Sequence, residues 1–515
     1  MRPLLLCPLL SFYYVYAYKI LVYSGPLGFS HTIFLGRIAD ILHEAGHDVT
    51  VLHPIWQQQS LPQVANSAKK ILFPLPEALT EELQPDKLRV WDTNSRSIVD
   101  QLRMLAGHTL QQIRTCDILL GDNATMQMLA NERFDAGITE MLGACGFGLF
   151  DKIGIDHIIT ASALGMVDTM GDLFDVPKFP SIVPSFLLPY NSRMNFVERT
   201  INFVVAVIAD FVSAEIERNY KKVWSRHGVS TDDEYYKSKT NYLLTNSDEF
   251  LEFGRPTSPK IVHVGGIALK ETGPLSKDLQ QIMEQTRVGV VYISFGSAVP
   301  TIKMPKYFRD AITEVAKSFK NYDFIWKVDE GDKIEGIPNL HTFTWVAQQA
   351  LLAHPNLRCF VSHAGLNSVL ELTRSGKPSI LVPIFADQFR NARLVEAKNT
   401  TIVIAKEDFT QDVFAVALQR VLGDVSYSKR AERLASLMVN KPFPVRDRLL
   451  SSVNFSIQHG RIYDYDFGKH LNALQYHSVD VIAFLIILLI STVLMWFYTC
   501  RYFFRKIFQA KIKAD

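Results

Sequence analysis

The densest run of chemically capable side chains in the 515-residue chain spans residues 344–388, TWVAQQALLAHPNLRCFVSHAGLNSVLELTRSGKPSILVPIFADQ. Residues 359–362 read as a short apolar strand, and His363-Ala-Gly365-Leu-Asn367-Ser368 as the turn into a helix. Gly365 removes a side chain where backbone must come close to a ligand. Asn367 and Ser368 are capping types, and the free amides of a helix start favour a phosphate. His363 adds a donor beside them. Glu371 follows Asn367 by four residues, so it shares that helical face and could accept from a ribose diol. A further strand ends at Pro383 and delivers Asp387-Gln388 to the same edge, where a carboxylate beside an amide suits the mixed donors and acceptors of a sugar ring. Taken singly, a His-x-Gly turn also serves as a plain strand-to-helix connection, and Asp-Gln as a helix cap. Asp464-Tyr-Asp466 has the spacing of a metal-holding carboxylate pair, but it lies beside the C-terminal apolar stretch, far from either nucleotide-type unit.

Two βα series must position these residues. The first opens with a strand at 19–24, a glycine-rich loop (GPLGFS), and a helix in which Phe34, Ile38, Ile41 and Ala45 share one face. Gly46 ends that helix and residues 48–53 form the next strand, a βαβ start. Residues 116–121 and 135–139 read as further strands. Residues 170–230 are rich in proline and aromatics and include an apolar helical run at 201–212. That run reads as a core helix, or alternatively as the lining of an acceptor site or a membrane contact. Composition shifts to Gly, Pro, Thr and Lys over 253–274, a linker. The second series follows, with strands at 288–294, 323–328, 359–362, 379–383 and 401–404 and amphipathic segments such as 389–397 between them. The fold class is α/β, with two Rossmann-like domains of parallel sheet facing a cleft outside the carboxyl ends of their strands.

The ends fix topology. Residues 1–17 have one charge at Arg2, an apolar run and small Ala17, the layout of a cleaved secretory signal. Residues 481–498 are 18 in a row without a charge, about one bilayer crossing, with Trp496 and Tyr498 at the interface and Asp480 on the other side. Arg501, Arg505, Lys506, Lys511 and Lys513 make the tail cytosolic, so all that precedes the span is lumenal. The terminal KIKAD resembles a dilysine retrieval signal of endoplasmic reticulum membrane proteins; a juxtamembrane basic cluster is the alternative. The expected organisation is signal 1–17, first domain 18–255, second domain 256–455, juxtamembrane segment 456–480, span 481–500 and tail 501–515. The three cysteines expected to be lumenal, Cys116, Cys145 and Cys359, are scattered and suggest neither a disulfide framework nor a metal-ligand spacing. Asn123, Asn399 and Asn454 head sequons open to lumenal glycosylation. A formal net charge of +2 gives no field for nucleic acid.

In combination, Trp345-x-x-Gln348, His363-x-Gly365, Asn367 and Asp387-Gln388 closely resemble the donor-binding signature of the UDP-glycosyltransferase family, and the resemblance covers nearly the whole chain, nematode members in particular. It implies the GT-B fold, with acceptor bound mainly by the first domain and UDP-sugar by the second. By position, Trp345 would stack on uracil, Gln348 would help hold the uridine and Glu371 would take the ribose hydroxyls. Ser297, in the Phe295-Gly-Ser297 turn, would hold the diphosphate with His363, Asn367 and Ser368, leaving Asp387 and Gln388 to read the sugar. Ala347, Ala350 and Ala364 depart from residues common among relatives (Pro, Asp and Gly). His31 matches the family's base, at a helix start that favours neutral imidazole. Its usual Asp partner is here Glu140, one methylene longer, with Asp135 in reserve. The implied reaction is inverting and metal-free, with no cofactor beyond the UDP-sugar co-substrate. A hexosyl group, glucose before glucuronate, passes to a small lipophilic acceptor. The expected setting is the endoplasmic reticulum membrane, as a single-pass protein that associates with the membrane and not with nucleic acid, homo- or hetero-oligomerisation being open. The rivals are a catalytically silent binder of UDP-sugar or a small molecule, for which the Asp-to-Glu change is the sole support, and a same-fold epimerase.

Overall fold

Strands buried on both faces read as near-continuous apolar runs, and the computed structural model, which describes residues 17–55, 64–82, 90–92, 97–269, 273–463 and 471–512, assembles strands mostly of this kind into two sheets. The first sheet contains β1 (Lys19–Tyr23), β2 (Asp48–Ile55), β3 (Lys69–Pro74), β4 (Ala136–Glu140), β5 (Ile158–Ser162), β6 (Thr240–Thr245) and β7 (Ile261–His263). Its order is β3-β2-β1-β4-β5-β6-β7, parallel throughout. The second contains β8 (Val290–Ser294), β9 (Asp323–Lys327), β10 (Leu340–Phe343), β11 (Leu357–Ser362), β12 (Ser379–Leu381) and β13 (Thr401–Val403), in the order β10-β9-β8-β11-β12-β13. Strand order reverses between β1 and β4 and again between β8 and β11. A crevice opens at such switch points, because the crossovers on either side run to opposite faces. Register pairs Tyr23 with Thr139 and Ser294 with Ser362, so the loops carrying His31, Glu140, Ser297 and His363 leave the sheets from the carboxyl ends at these two switches.

Three expectations change. Residues 116–121 are not a strand but the last turns of the 24-residue helix Ile98–Gly121. Cys116, Leu119 and Leu120 are fully buried at helical spacing, and a short apolar run by itself does not separate the two periods. Cys116 also pairs with Cys145 in a disulfide, Cα–Cα 5.4 Å, joining that helix to the one that follows Glu140. The run at 201–212 lies in the 31-residue helix Phe196–Arg226, opened by a capping box between Asn195 and Glu198. It is not a core helix: Phe203, Val204 and Phe211 are at least half exposed, while Asn202 and Val205 face inward.

The two halves also exchange segments. β7 completes the first sheet beyond the 255/256 boundary read from the sequence. The helix Val445–His459 sets Leu449, Val453 and Ile457 against Ile20, Val22 and Val49 of the first domain. In the other direction Trp91 enters the second domain's core against Phe295 and Phe308, and its Nε1 donates to the Pro300 carbonyl at 2.8 Å. Residues 463–515 form a separate unit. In it Val479–Ile507, with mean hydropathy 2.6, is long and apolar enough to cross a bilayer, and the helix runs on past Arg501, Arg505 and Lys506 to Ile512. The signal segment apart from Ala17, the pair Asp464 and Asp466, and Lys513 lie outside the described residues.

The Cys116–Cys145 bridge closes a loop with a sequence separation of 29. Loop-closure entropy makes its removal cost about 3–4 kcal/mol. Urea unfolding of a Cys116→Ser/Cys145→Ser variant should show a loss of that size, and peptide mapping without reductant should recover the linked pair.

Candidate functional site

His31 is the third residue of the helix Phe29–Glu44, which starts directly after Gly28 (φ 129°), a backbone conformation that favours glycine. Glu140 is the last residue of β4. The side chains meet with His31 Nδ1 3.1 Å from Glu140 Oε2, both residues buried. An ionised carboxylate only accepts, so Nδ1 is the protonated nitrogen and Nε2 is left as the basic one. The carboxylate is anchored from behind by the Ala163 N–H, at 3.0 and 3.3 Å from its two oxygens. The longer side chain therefore reaches His31. Asp135, the reserve partner, is at the other end of β4 and accepts from the Lys19 amide at 2.7 Å. His108, absent from the sequence reading, has its pKa lowered by burial and further by the His31 imidazole nearby.

The second domain brings the other residues to the facing edge. Ser297 lies exposed just past β8. Trp345 is 77 % exposed, an indole face open to a ligand. Gln348 begins the helix Gln348–Ala353; its Oε1 accepts from Tyr292 Oη at 3.1 Å, and its Nε2 donates to Ser368 Oγ at 3.2 Å and to Glu371. Gln349 donates to the other Glu371 oxygen at 3.0 Å. Burial pushes the Glu371 carboxyl up, and these two amides pull against the shift. Two donors leave part of the acceptor capacity of a carboxylate for a diol. Asp387 precedes the helix Gln388–Glu396 and makes no capping bond to it with its side chain. Burial raises its pKa, opposed first by the Asn391 amide at 2.6 Å and then by the charge of His31 across the cleft. Gln388 turns its Oε1 onto its own loop, accepting from Ile384 and Phe385 N–H at 2.8 and 3.1 Å, so only its NH2 remains for a sugar.

His363 is enclosed by glycines. A Cβ at Gly296 or at Gly365 would stand 2.6 Å from its ring, so the close approach read at Gly365 is to this imidazole. Lys327, at the end of β9, donates to the Gly296 carbonyl at 3.2 Å and lowers the His363 pKa by its charge. It is a cation beside the Ser297 loop that the sequence reading passed over, although its place at the carboxyl end of a recognised strand was the available signal. Ala364 (φ 66°) and Ala386 (φ 54°) both hold left-handed backbone in the two donor-side turns. Strain of this kind persists where the surrounding structure fixes it, commonly at functional sites.

Two consequences can be measured on the solubilised chain. Left-handed alanine costs about 1–2 kcal/mol relative to glycine, partly offset by the flexibility glycine gains when unfolded, so Ala364→Gly should raise stability by about 1 kcal/mol in urea titration. Desolvation takes His363 from 6.5 to about 4, with the Ser294 backbone bond opposing and Lys327 adding. Between those values the unfolded chain binds more protons than the native one. His363 thus contributes a stability loss as pH falls through this window, reaching about 3 kcal/mol. A His363→Asn variant should lose correspondingly less between pH 6.5 and 4, read from urea midpoints at successive pH values.

The sequence and the fold both have counterparts among known proteins. The family model described as UDP-glucoronosyl and UDP-glucosyl transferase matches residues 18–514. The Caenorhabditis elegans protein ugt-48, whose name as a UDP-glucuronosyltransferase is provisional, is 30% identical over 90% of this chain and 91% of its own length. The mouse (Mus musculus) 2-hydroxyacylsphingosine 1-beta-galactosyltransferase is 27% identical over 95% of this chain and 90% of its own. Among solved structures, Phytolacca americana UGT2, complexed with UDP-2fluoro-glucose and pterostilbene, superposes with a TM-score of 0.59 at 18% identity, covering 86% of this chain and 100% of that one. A Polygonum tinctorium UDP-glucosyltransferase gives 0.58 at 17% identity over 86% and 99%. The two-sheet architecture is that of the GT-B glycosyltransferases, and the chain belongs to the UDP-glucuronosyl and UDP-glucosyl transferase family.

Proposed function

We propose that this UDP-glycosyltransferase is an inverting, metal-independent enzyme in which His31, oriented by Glu140, deprotonates the hydroxyl of a small lipophilic acceptor. The observation that carries the reading is the 3.1 Å contact between His31 and Glu140 at the switch point of the first sheet, on the side that faces Asp387. The acceptor oxygen attacks the anomeric carbon while its proton passes to His31 Nε2. The bond to UDP breaks with its electron pair, and Glu140 stabilises the imidazolium. The leaving diphosphate meets the helix start at Asn367–Ser368, the Ser297 loop and Lys327, and His363, held neutral, donates a hydrogen bond. Trp345 stacks on the base, and Gln348 and Glu371 take the uridine. Asp387 and the Gln388 amide orient the sugar.

Glucose is the proposed hexose, with glucuronate the alternative. Arg390, the nearest cation in sequence to Asp387-Gln388, is engaged with Glu252 in a buried ion pair. Arg393, the other arginine of that helix, pairs with Glu396, so a C6 carboxylate would meet Asp387 with no free arginine from that helix. The disulfide supports a lumenal, oxidising setting, and the C-terminal helix with its basic end supports a single-pass anchor in the endoplasmic reticulum membrane, preceded by a cleaved signal. The silent-binder rival rested on the Asp-to-Glu change, and the reach of Glu140 takes away that support.

The test is UDP release by membranes carrying the full chain, supplied with UDP-glucose or UDP-glucuronate and a panel of phenolic and sterol acceptors. His31→Ala should lower kcat by about 10²–10⁴-fold with little change in KM for the donor, and Glu140→Gln should lower it by less. The donor that supports turnover identifies the sugar. Tight UDP binding without turnover on any acceptor would replace this reading with the silent binder.

A further inference from the structure

We propose that Asn246, immediately after β6, is a positioning residue that fixes which end of the Asn367 side-chain amide faces the donor. The inference rests on the proposed placing of the diphosphate at Asn367. Asn246 is 1 % exposed, and its backbone N–H donates to the Ser162 carbonyl at 2.8 Å, so it is held to the end of β5. Its Nδ2 makes two bonds, to the Ala163 carbonyl at 3.1 Å and to Asn367 Oδ1 at 3.1 Å.

The orientation follows from the chemistry of the partners. A backbone carbonyl only accepts, so the end of the Asn246 amide that meets Ala163 must be its NH2. That NH2 also meets Asn367, which must answer with its oxygen. With Oδ1 committed there, the Asn367 NH2 is turned the other way, and an NH2 is the end suited to an anionic phosphate. The opposite orientation would present a carbonyl oxygen to that anion. The Oδ1 of Asn246 is buried without a hydrogen-bond partner. Turning the amide over would not relieve this, because that oxygen would then oppose the two oxygens that Nδ2 now serves.

The same chain of contacts reaches the base. Ala163 is gripped at its carbonyl by Asn246 and at its N–H by Glu140, whose other contact is His31. The residues placed on the donor diphosphate and on the acceptor proton are therefore set from one loop of the first domain, through a neutral side chain that no pH change in the working range alters.

The experiment measures UDP affinity by calorimetry and donor KM and kcat in the full-length solubilised chain, with thermal melts alongside. The variants are Asn246→Ala, Asn246→Leu, Asn367→Ala and the double variant Asn246→Ala/Asn367→Ala. Loss of a hydrogen bond to a charged group predicts that Asn367→Ala and Asn246→Ala each weaken UDP about tenfold. In the double variant Asn246→Ala should add less than about twofold to the loss already caused by Asn367→Ala, the non-additivity expected when one residue acts through another. A lowered melting temperature with unchanged UDP affinity would make Asn246 structural only and overturn the proposal, as would losses that multiply in the double variant. Unchanged affinity in Asn367→Ala would overturn the proposal together with the donor placing, whereas a weakened Asn367→Ala beside an unaffected Asn246→Ala and Asn246→Leu would overturn the proposal alone.

Discussion

A carboxylate that is 1 % exposed must have its charge met by donors on every side it presents, and Glu140 is the point on which the arrangement of the cleft depends. It has the Ala163 N–H behind it and His31 in front. One contact comes from the helix start that follows β1 and the other from the loop that follows β5, on either side of the switch point, so sheet order decides which groups can reach the carboxylate. β1 and β4 are neighbours only because the chain crosses from one face to the other between them. Glu140 is held by the turn that follows it as well, since the disulfide at Cys145 binds that turn to the long helix Ile98–Gly121.

The second requirement is that two separately folded sheets present their edges to one another. A flexible linker alone would leave the gap between the proposed base and the proposed sugar position undefined, and transfer needs reacting atoms within about 3–3.5 Å. The chain meets this by exchange. Trp91 is embedded in the second domain's core beside the Phe295 turn, and the helix Val445–His459 returns to the first. Lys441, just ahead of that helix, forms a buried pair with Asp248. Each contact joins residues remote in sequence, so holding the cleft is a property of the whole fold and not of the loops that line it.

The two βα series, the switch-point cleft and the cluster at 363–371 were legible because parallel strands are apolar runs and glycine and capping residues punctuate them. β8, β9, β11, β12 and β13 fall within a few residues of the runs at 288–294, 323–328, 359–362, 379–383 and 401–404. β3, β5, β6, β7 and β10 were not read. β3 is mostly exposed, with Phe73 its one buried residue, and β7 is three residues long inside a stretch whose composition is that of a linker. With β6 unread, Asn246 had no place in the fold. The Cys116–Cys145 bridge was invisible for a related reason: once 116–121 is taken as a strand, the helix face that carries Cys116 towards Cys145 does not exist. Glu140 and His31 were named from the family pattern, and their contact depends on the register of β1 with β4, which no spacing along the chain encodes.

Electrostatics divides the site in two. On the side proposed for the diphosphate, His363 is kept neutral by burial, so in the proposed reaction the charge of UDP would be met by helix amides and by Lys327, whose own pKa burial lowers. A cation that is already poorly solvated gains more from an arriving anion than a hydrated one does, because it has less hydration to surrender. Where the ribose and the sugar are proposed to lie, the carboxyls of Glu371 and Asp387 are pushed up by the same desolvation; amides restrain both, and at Asp387 the charges of His31 and Arg390 act in the same direction. Neutral hydroxyls can satisfy such carboxylates at no Coulombic cost, and a further negative charge cannot. The division is the one that the proposed donor, UDP-glucose, would require, with its charge concentrated at the diphosphate and a neutral, hydroxyl-rich surface at either end.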